Sequence, residues 1–238
     1  MAPIRLSRGT VADREKIRRS RDRFWTPDDL SGAESTRQHL LAELVRAGEL
    51  RRVSRGLYWR GTRTPLGMSP PSPSALLARL APRHGSGPAG LSAANALRLS
   101  TQIPRKMLVA VPARAPRPTD VIEFLDRRTR TGRVAAKLGA TEVALLEVLD
   151  DPSASELSPD ETRERLRDLL KSDAVRPQLL ARAAKTEPAR VRERLGELLR
   201  DSGFDSHAAS IRSADPRVRS RIMSELSPGG VSRHAVSQ

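Results

Sequence analysis

STRQHLLAELVRAGELRRVSRGLYWRG, residues 35–61, is the stretch that decides the fold of the first part of this chain. Apolar residues recur in its first half at the spacing of one helix face, since about 3.6 residues complete a helical turn: Leu40, Leu41, Leu44 and Val45. Gly48 ends the predicted helix, and two runs of strand formers follow at residues 50–53 and 57–60. Gly56 suits the turn between them because glycine tolerates a positive φ. A helix that runs into a basic hairpin is typical of a winged helix-turn-helix, a fold that binds DNA.

Two helices are predicted before this stretch. The first covers residues 10–24, with Thr10 as its N-cap. The second is short and begins at TPDD, residues 26–29, because a capping threonine, a proline in the first turn and acids near the N-terminus all favour a helix start. The third helix begins near Ser35, which has the spacing of a capping box with Gln38.

A projection at about 100° per residue separates the core face of the third helix from the face that it offers to DNA. The predicted DNA-binding residues of this domain, residues 10–61, are Ser35, Thr36, Gln38, His39 and Arg46 on the helix, and Arg51, Arg55 and Arg60 on the hairpin. Arg37 projects toward the core side and is expected to extend past the end of the core; a contact with a neighbouring acid or a phosphate is the alternative. Outward Glu43 either pairs with Arg46 or accepts a hydrogen bond from a cytosine amino group, and the sequence leaves both alternatives open.

The net charge of +15 is distributed unevenly along the chain. Residues 1–62 contain 14 basic and eight acidic residues, residues 63–140 contain 13 and three, and residues 141–238 contain 16 and 17. Residues 50–119 hold 12 basic residues and no acidic one. A solvated face or an arginine-rich genome is the alternative explanation, but a genome bias would enrich arginine throughout. Segregated positive charge favours a polyanionic partner, whose phosphates dominate affinity through counterion release.

The composition excludes several kinds of site. The chain has no cysteine, which excludes disulfides, thiolate zinc sites and cysteine nucleophiles. Its four histidines are far apart in sequence, so no zinc or iron motif is present, and we predict no metal, no cofactor and no catalytic residue. No apolar run reaches about 18 residues, and no basic-then-apolar leader is visible. We therefore expect a cytoplasmic protein that is not an enzyme and does not enter a membrane.

The fold class predicted for the whole chain is α+β and helix-rich. Four prolines in residues 62–74 predict a semi-rigid linker, and residues 75–201 are expected to form a small α+β domain that ends in helices. Helices are predicted at residues 74–80, 88–99, 140–149, 159–170, 177–184 and 188–199, and strands at residues 106–112 and 121–124. Residues 202–238 are rich in serine and are expected to form a loosely ordered tail with a short helix near residues 218–226.

These features resemble the AbiEi-type antitoxins of bacterial type IV toxin-antitoxin systems. The stretches that carry the resemblance are LVRAGELRRVSRGLYWRG at residues 44–61, GPAGLSAANALRLSTQIP at 87–104, EVALLEVLDD at 142–151 and EPARVRERLGELL at 187–199. The resemblance covers residues 24–199. It implies an N-terminal winged helix that binds repeats in the promoter of its own operon, and a C-terminal domain that counteracts a nucleotidyltransferase toxin without forming a stable complex with it. Arg37 departs from the pattern, which usually has a small aliphatic residue there.

The sequence thus predicts a DNA-binding antitoxin that represses its own operon, with double-stranded promoter DNA and a nucleotidyltransferase toxin as partners. One alternative is a stand-alone winged-helix regulator. Another is an antitoxin that binds RNA or a protein partner through the basic segment at residues 63–140. A third, an enzyme acting on nucleic acid, rests on the charge alone.

Overall fold

The computed structural model describes residues 8–65 and 67–212. The chain divides into two compact units, Met1–Arg79 and Leu80–Gln238, which we call the N-terminal unit and the C-terminal unit. The described residues are rich in helix and carry three small sheets, so the predicted α+β class is confirmed.

The N-terminal unit holds a three-stranded antiparallel sheet in the order β1-β3-β2. Its elements are α1 (Arg8–Arg19), β1 (Arg23–Trp25), a 3-10 helix (Pro27–Asp29), α2 (Glu34–Arg46), β2 (Arg51–Ser54), β3 (Leu57–Arg60), β4 (Arg63–Thr64), β5 (Gly67–Met68) and α3 (Pro73–Leu80). β3 lies in the centre, so that the hairpin β2–β3 is joined to the rest of the unit through β1.

α1 differs from its prediction at both ends. It begins at Arg8, which places Thr10 inside the helix, where it is buried and does not act as the N-cap. It ends at Arg19, and Asp22 adopts a left-handed φ of 49° before β1. Phe24 was predicted as helical but lies in β1 opposite Trp59, with the two ring centroids 4.7 Å apart. Aromatic residues favour strands, and this cross-strand pair outweighs the helical spacing of Phe24.

One hydrophobic core holds the helices and strands of the N-terminal unit together. It consists of Ile17, Trp25, Leu30, Leu40, Leu41, Leu44 and Leu50, with Val45 and Tyr58 packed against it. The apolar face predicted for the third helix therefore is the core face of α2. The short helix predicted at residues 26–29 is the 3-10 helix, and Asp29 accepts hydrogen bonds from the Thr26 backbone N–H and hydroxyl at 2.7 and 2.8 Å.

The proline-rich stretch predicted as a linker is part of the N-terminal unit. β4 and β5 pair as a small hairpin, whose base is closed by the Ser69 N–H donating to the Thr62 carbonyl oxygen at 2.9 Å. Gly61 precedes it at a position where a Cβ atom would lie 2.5 Å from the Trp59 indole nitrogen and the Ser69 hydroxyl. The prolines prevent long strands but leave room for two-residue pairing, and α3 already begins at Pro73.

The C-terminal unit contains a second three-stranded sheet, in the order β6-β7-β8, in which β6 is antiparallel and β8 parallel to β7. Its elements are β6 (Gly87–Pro88), α4 (Gly90–Ala96), β7 (Met107–Val111), β8 (Ile122–Asp126), α5 (Gly132–Ala135), α6 (Ala140–Asp150), a 3-10 helix (Pro152–Ala154), α7 (Pro159–Lys171), α8 (Pro177–Ala183), a second 3-10 helix (Ala184–Thr186), α9 (Ala189–Asp201) and α10 (Asp205–Ala209). α6 is buried along its length from Glu142 to Asp150 and lies at the centre of the core.

Most predicted elements of this unit are confirmed, with three differences. The helix predicted at residues 88–99 is shorter, because Gly87 and Pro88 pair with β7. α5 was not predicted. Residues 205–209, predicted as part of a loosely ordered tail, form α10, and Ala208 is buried in the core. The helix predicted near residues 218–226 lies outside the described residues. Among the helices described, none combines the length and apolar character needed to cross a membrane.

Candidate nucleic-acid interface

The exposed face of α2 presents the predicted helix residues together. Ser35, Thr36, Gln38, His39 and Arg46 are all exposed, whereas Leu40, Leu41 and Leu44 on the opposite side are buried in the core. α2 thus offers hydroxyl, amide, imidazole and guanidinium groups from one surface. These are the side-chain types that bind base edges and phosphates in DNA grooves.

The start of α2 differs from the predicted capping box. Ala33 is the N-cap residue and makes no side-chain cap, and Glu34 is the first helical residue. The Gln38 amide nitrogen donates to Glu34 Oε1 at 2.8 Å. The Gln38 side chain is therefore bonded to a residue one turn closer to the N-terminus of α2. Ser35 lies within the first turn, and its side chain is exposed.

Arg37 reaches a neighbouring acid, which was one of the two alternatives for this residue. Its Nη1 donates to the Pro27 carbonyl oxygen at 3.1 Å and lies 3.5 Å from Asp28 Oδ1. This half-buried guanidinium ties α2 to the 3-10 helix that precedes it. Arg37 is consequently a structural residue of the unit and not part of the exposed face of α2.

The hairpin β2–β3 carries a second group of basic residues. Arg55 is exposed in the turn, and Arg51 is half-buried opposite Trp59. Arg52 is exposed opposite Tyr58 and was missed by the prediction. Strand alternation places adjacent residues on opposite faces, so Arg51 and Arg52 cannot both point toward the same partner. This alternation was the signal that could have identified Arg52.

Arg60 was predicted as a DNA-binding residue, but its guanidinium contacts the unit itself. Its Nη2 donates to the Arg18 carbonyl oxygen at 3.4 Å, and its Nη1 lies 3.6 Å from the Met68 sulfur. Arg60 therefore joins β3 to α1 and to the β4–β5 hairpin. We exclude it from the candidate interface for this reason.

α1 fixes the position of α2 through charged side chains. Asp13 accepts a hydrogen bond from the Ser31 N–H at 2.7 Å, just before α2. Arg18 binds Glu49, just after α2, through two hydrogen bonds of 2.7 Å. These hydrogen bonds hold the pKa of the Glu49 carboxyl below its ordinary value. Both ends of α2 are thus attached to α1, which keeps the exposed face in a defined orientation.

The C-terminal unit contains a buried ion-pair cluster that changes the interpretation of its positive charge. The cluster consists of Arg127, Arg130, Arg133, Glu147, Asp150 and Glu187. Arg133 is fully buried and binds Glu187 at 2.6 and 2.9 Å and Glu147 at 2.7 Å. Burial opposes ionisation of Glu147, but hydrogen bonds from Arg127 and the charge of Arg133 hold its pKa below the ordinary value.

This cluster reduces the positive charge that residues 63–140 can offer to a polyanionic partner. Three arginines of the run after β8 face acids from the last hundred residues, so they are not available to a polyanion. Arg128 of the same run is exposed but binds Asp126. The exposed basic residues in the rest of this segment, outside the N-terminal unit, are Arg83, Arg98, Arg105, Arg114, Arg117 and Lys137.

Within the residues that the structure describes, no group of three or more histidine, aspartate or glutamate side chains is arranged to hold a metal ion. Several carboxylates of the C-terminal unit instead bind arginines or cap helices. Glu161, for example, accepts from the Ser158 N–H and hydroxyl at the start of α7.

No protein-family description matches this chain, and no curated protein sequence is significantly similar to it. Among solved structures, the chain is similar to the crystal structure of the RV2827C protein from Mycobacterium tuberculosis. The two share 18% sequence identity with a TM-score of 0.50, over 89% of this chain and 84% of that chain. At this level of identity, the similarity extends to the fold alone.

Proposed function

We propose that the N-terminal unit is a winged helix-turn-helix that binds specific double-stranded DNA, with α2 as its recognition helix and the β2–β3 hairpin as its wing. The observation that carries this proposal is the element order α1, β1, 3-10 helix, α2, β2, β3, in which β1 pairs with the hairpin. In a helix-turn-helix protein, the recognition helix enters the major groove while other elements contact the phosphate backbone.

The surface chemistry supports the same proposal. Ser35, Gln38 and His39 can form hydrogen bonds with base edges, and Arg46 lies at the other end of the exposed face of α2. Arg52 and Arg55 on the wing suit phosphate or minor-groove contact. The proposal therefore assigns sequence preference to α2 and general affinity to the wing.

We further propose that the protein is an antitoxin of the AbiEi type, which represses its own operon and counteracts a nucleotidyltransferase toxin. This part rests on the sequence resemblance at residues 44–61, 87–104, 142–151 and 187–199. Two of those stretches supply the acids of the buried ion-pair cluster, Glu147, Asp150 and Glu187. The cluster gives these stretches a role in the stability of the C-terminal unit.

The experiment has a DNA arm and a toxin arm. In the first, the full-length protein is mixed with the DNA upstream of its own gene and with a scrambled duplex of equal length, and binding is followed by gel shift and footprinting. A footprint on repeats of the upstream DNA is expected. Equal binding to both duplexes would contradict the proposed recognition.

In the toxin arm, an adjacent nucleotidyltransferase-like gene is expressed with and without the protein, and growth is measured. Restored growth is expected. Protection by a variant lacking residues 1–62 is expected both of an AbiEi-type antitoxin and of the alternative that acts on RNA or a protein, because each places protection in the C-terminal unit, so the DNA arm decides between them. DNA binding without any protection would identify a stand-alone regulator.

A further inference from the structure

Glu43 places a negative charge on the flank of the proposed DNA-binding face. It lies one helical turn from His39 and from Arg46, a spacing at which side chains of a helix are neighbours. Its side chain is 38% exposed. A free carboxylate at this position would repel the phosphates of a duplex docked on α2.

Arg14 of α1 meets this carboxylate. Its Nη2 lies 2.6 Å from Glu43 Oε1, and the Arg14 side chain is 21% exposed. Glu43 therefore does not pair with Arg46, as one alternative drawn from the sequence had it, because its partner comes from a different helix. Arg46 forms no ion pair with any residue of the described ranges and remains directed to solvent.

We propose that Arg14 is a positioning residue for DNA binding, which acts by neutralising Glu43 and not by contacting the DNA. The inference rests on the proposed function of the N-terminal unit. With the pair in place, the charge of Glu43 no longer opposes the positive charge of Arg46 on the exposed face of α2. Without Arg14, Glu43 adds a repulsive charge beside His39.

Four variants test this inference by gel shift on the upstream DNA of the gene: Arg14→Ala, Arg14→Lys, Glu43→Gln and the double variant Arg14→Ala/Glu43→Gln. Arg14→Ala is expected to weaken binding about five- to tenfold. This lies between the roughly threefold and roughly fiftyfold effects that Coulomb's law gives for one charge about 7 Å from a phosphate in bulk water and at the effective dielectric constant near a protein surface. The double variant is expected to return to within about twofold of the wild type, because the repulsive charge is gone. Arg14→Lys keeps the charge and should retain wild-type binding.

Arg19→Ala is the matched control. Arg19 lies on the same helix and pairs with Glu15 at 3.2 Å, with both side chains more than half exposed. Its loss removes the same charge from α1 without exposing a carboxylate on α2. Binding by this variant is expected to change less than twofold at 150 mM salt, where charges beyond about 8 Å are largely screened. Thermal unfolding of each variant is measured alongside.

The outcomes separate this inference from the proposed function. Wild-type protein that fails to bind its upstream DNA would overturn the proposed function and this inference with it. Normal wild-type binding combined with an unaffected Arg14→Ala variant would overturn the inference alone. A double variant as weak as Arg14→Ala would also overturn it, because Arg14 would then contact phosphate directly. Should Arg14→Ala fail to fold, Arg14→Lys and Glu43→Gln still test it: weaker binding by either would contradict neutralisation.

Discussion

Replacing Arg133 by methionine removes the fully buried member of the ion-pair cluster while keeping a similar side-chain length. The Glu187 carboxylate loses hydrogen bonds of 2.6 and 2.9 Å and keeps only the Arg130 guanidinium at 3.2 Å. Glu147 loses its 2.7 Å partner but retains Arg127. Removing one partner of a buried ion pair costs about 3–5 kcal/mol, because a charge remains buried without full compensation. For a unit of this size, the loss corresponds to a fall in melting temperature of about 10–15 °C.

Thermal and urea unfolding followed by circular dichroism measure this change. Arg128→Met is the matched control, since Arg128 belongs to the same basic run but its side chain is 64% exposed and pairs with Asp126 at the surface. An exposed pair contributes little to stability because water screens its charges, so this variant should melt within a few degrees of the wild type. An Arg133→Met protein with unchanged stability and weakened nucleic-acid binding would refute the assignment of this run to the interior.

Three further predictions concern DNA recognition, pH and the N-terminal core. His39→Ala should change the sequence preference of DNA binding. Arg55→Ala should weaken binding to all duplexes and reduce the slope of log affinity against log salt by about one. Binding curves on matched and scrambled DNA measure both effects. The pKa of Glu147 is lower in the folded than in the unfolded state, so its stabilisation is present above about pH 4.5 and is lost as pH falls. Urea titrations between pH 3 and 7 measure this loss of stability. The loss with falling pH should be smaller in the Glu147→Gln variant. Leu41→Ala should cost the N-terminal unit about 2–5 kcal/mol in chemical unfolding, because Leu41 is fully buried; a loss below 1 kcal/mol would contradict its place in the core.

Local patterns were sufficient to predict most of the secondary structure. The apolar spacing of α2, the proline and acid signals before the 3-10 helix, and the strand formers of β2 and β3 each act within a few residues. The sequence also identified the exposed side of α2, because a helix with one buried face determines which residues remain outside. β4–β5 was missed because two-residue strands leave too short a pattern to recognise.

Long-range partners could not be predicted in the same way. Arg133 and Glu187 are 54 residues apart in sequence, and no spacing rule connects them. The basic run after β8 was counted in the positive charge of residues 63–140 as if it were free, because its neutralising acids lie on other elements. The contacts of Arg60 with Arg18 and Met68, and of Glu43 with Arg14, could not be predicted for the same reason, since these partners lie on other elements. Ion pairs between elements depend on tertiary packing, which a charge count along the chain does not contain.

The salt dependence of DNA binding tests the central claim most directly. The dissociation constant of the full-length protein is measured between 50 and 300 mM salt, on its own upstream DNA and on a scrambled duplex. With about three to five phosphates neutralised by exposed arginines of the N-terminal unit, log affinity should fall linearly with log salt at a slope of about −3 to −5. The upstream DNA should bind at least about a thousandfold more tightly than the scrambled duplex. Affinity that is independent of salt and equal on both duplexes would contradict DNA recognition by α2 and the β2–β3 hairpin.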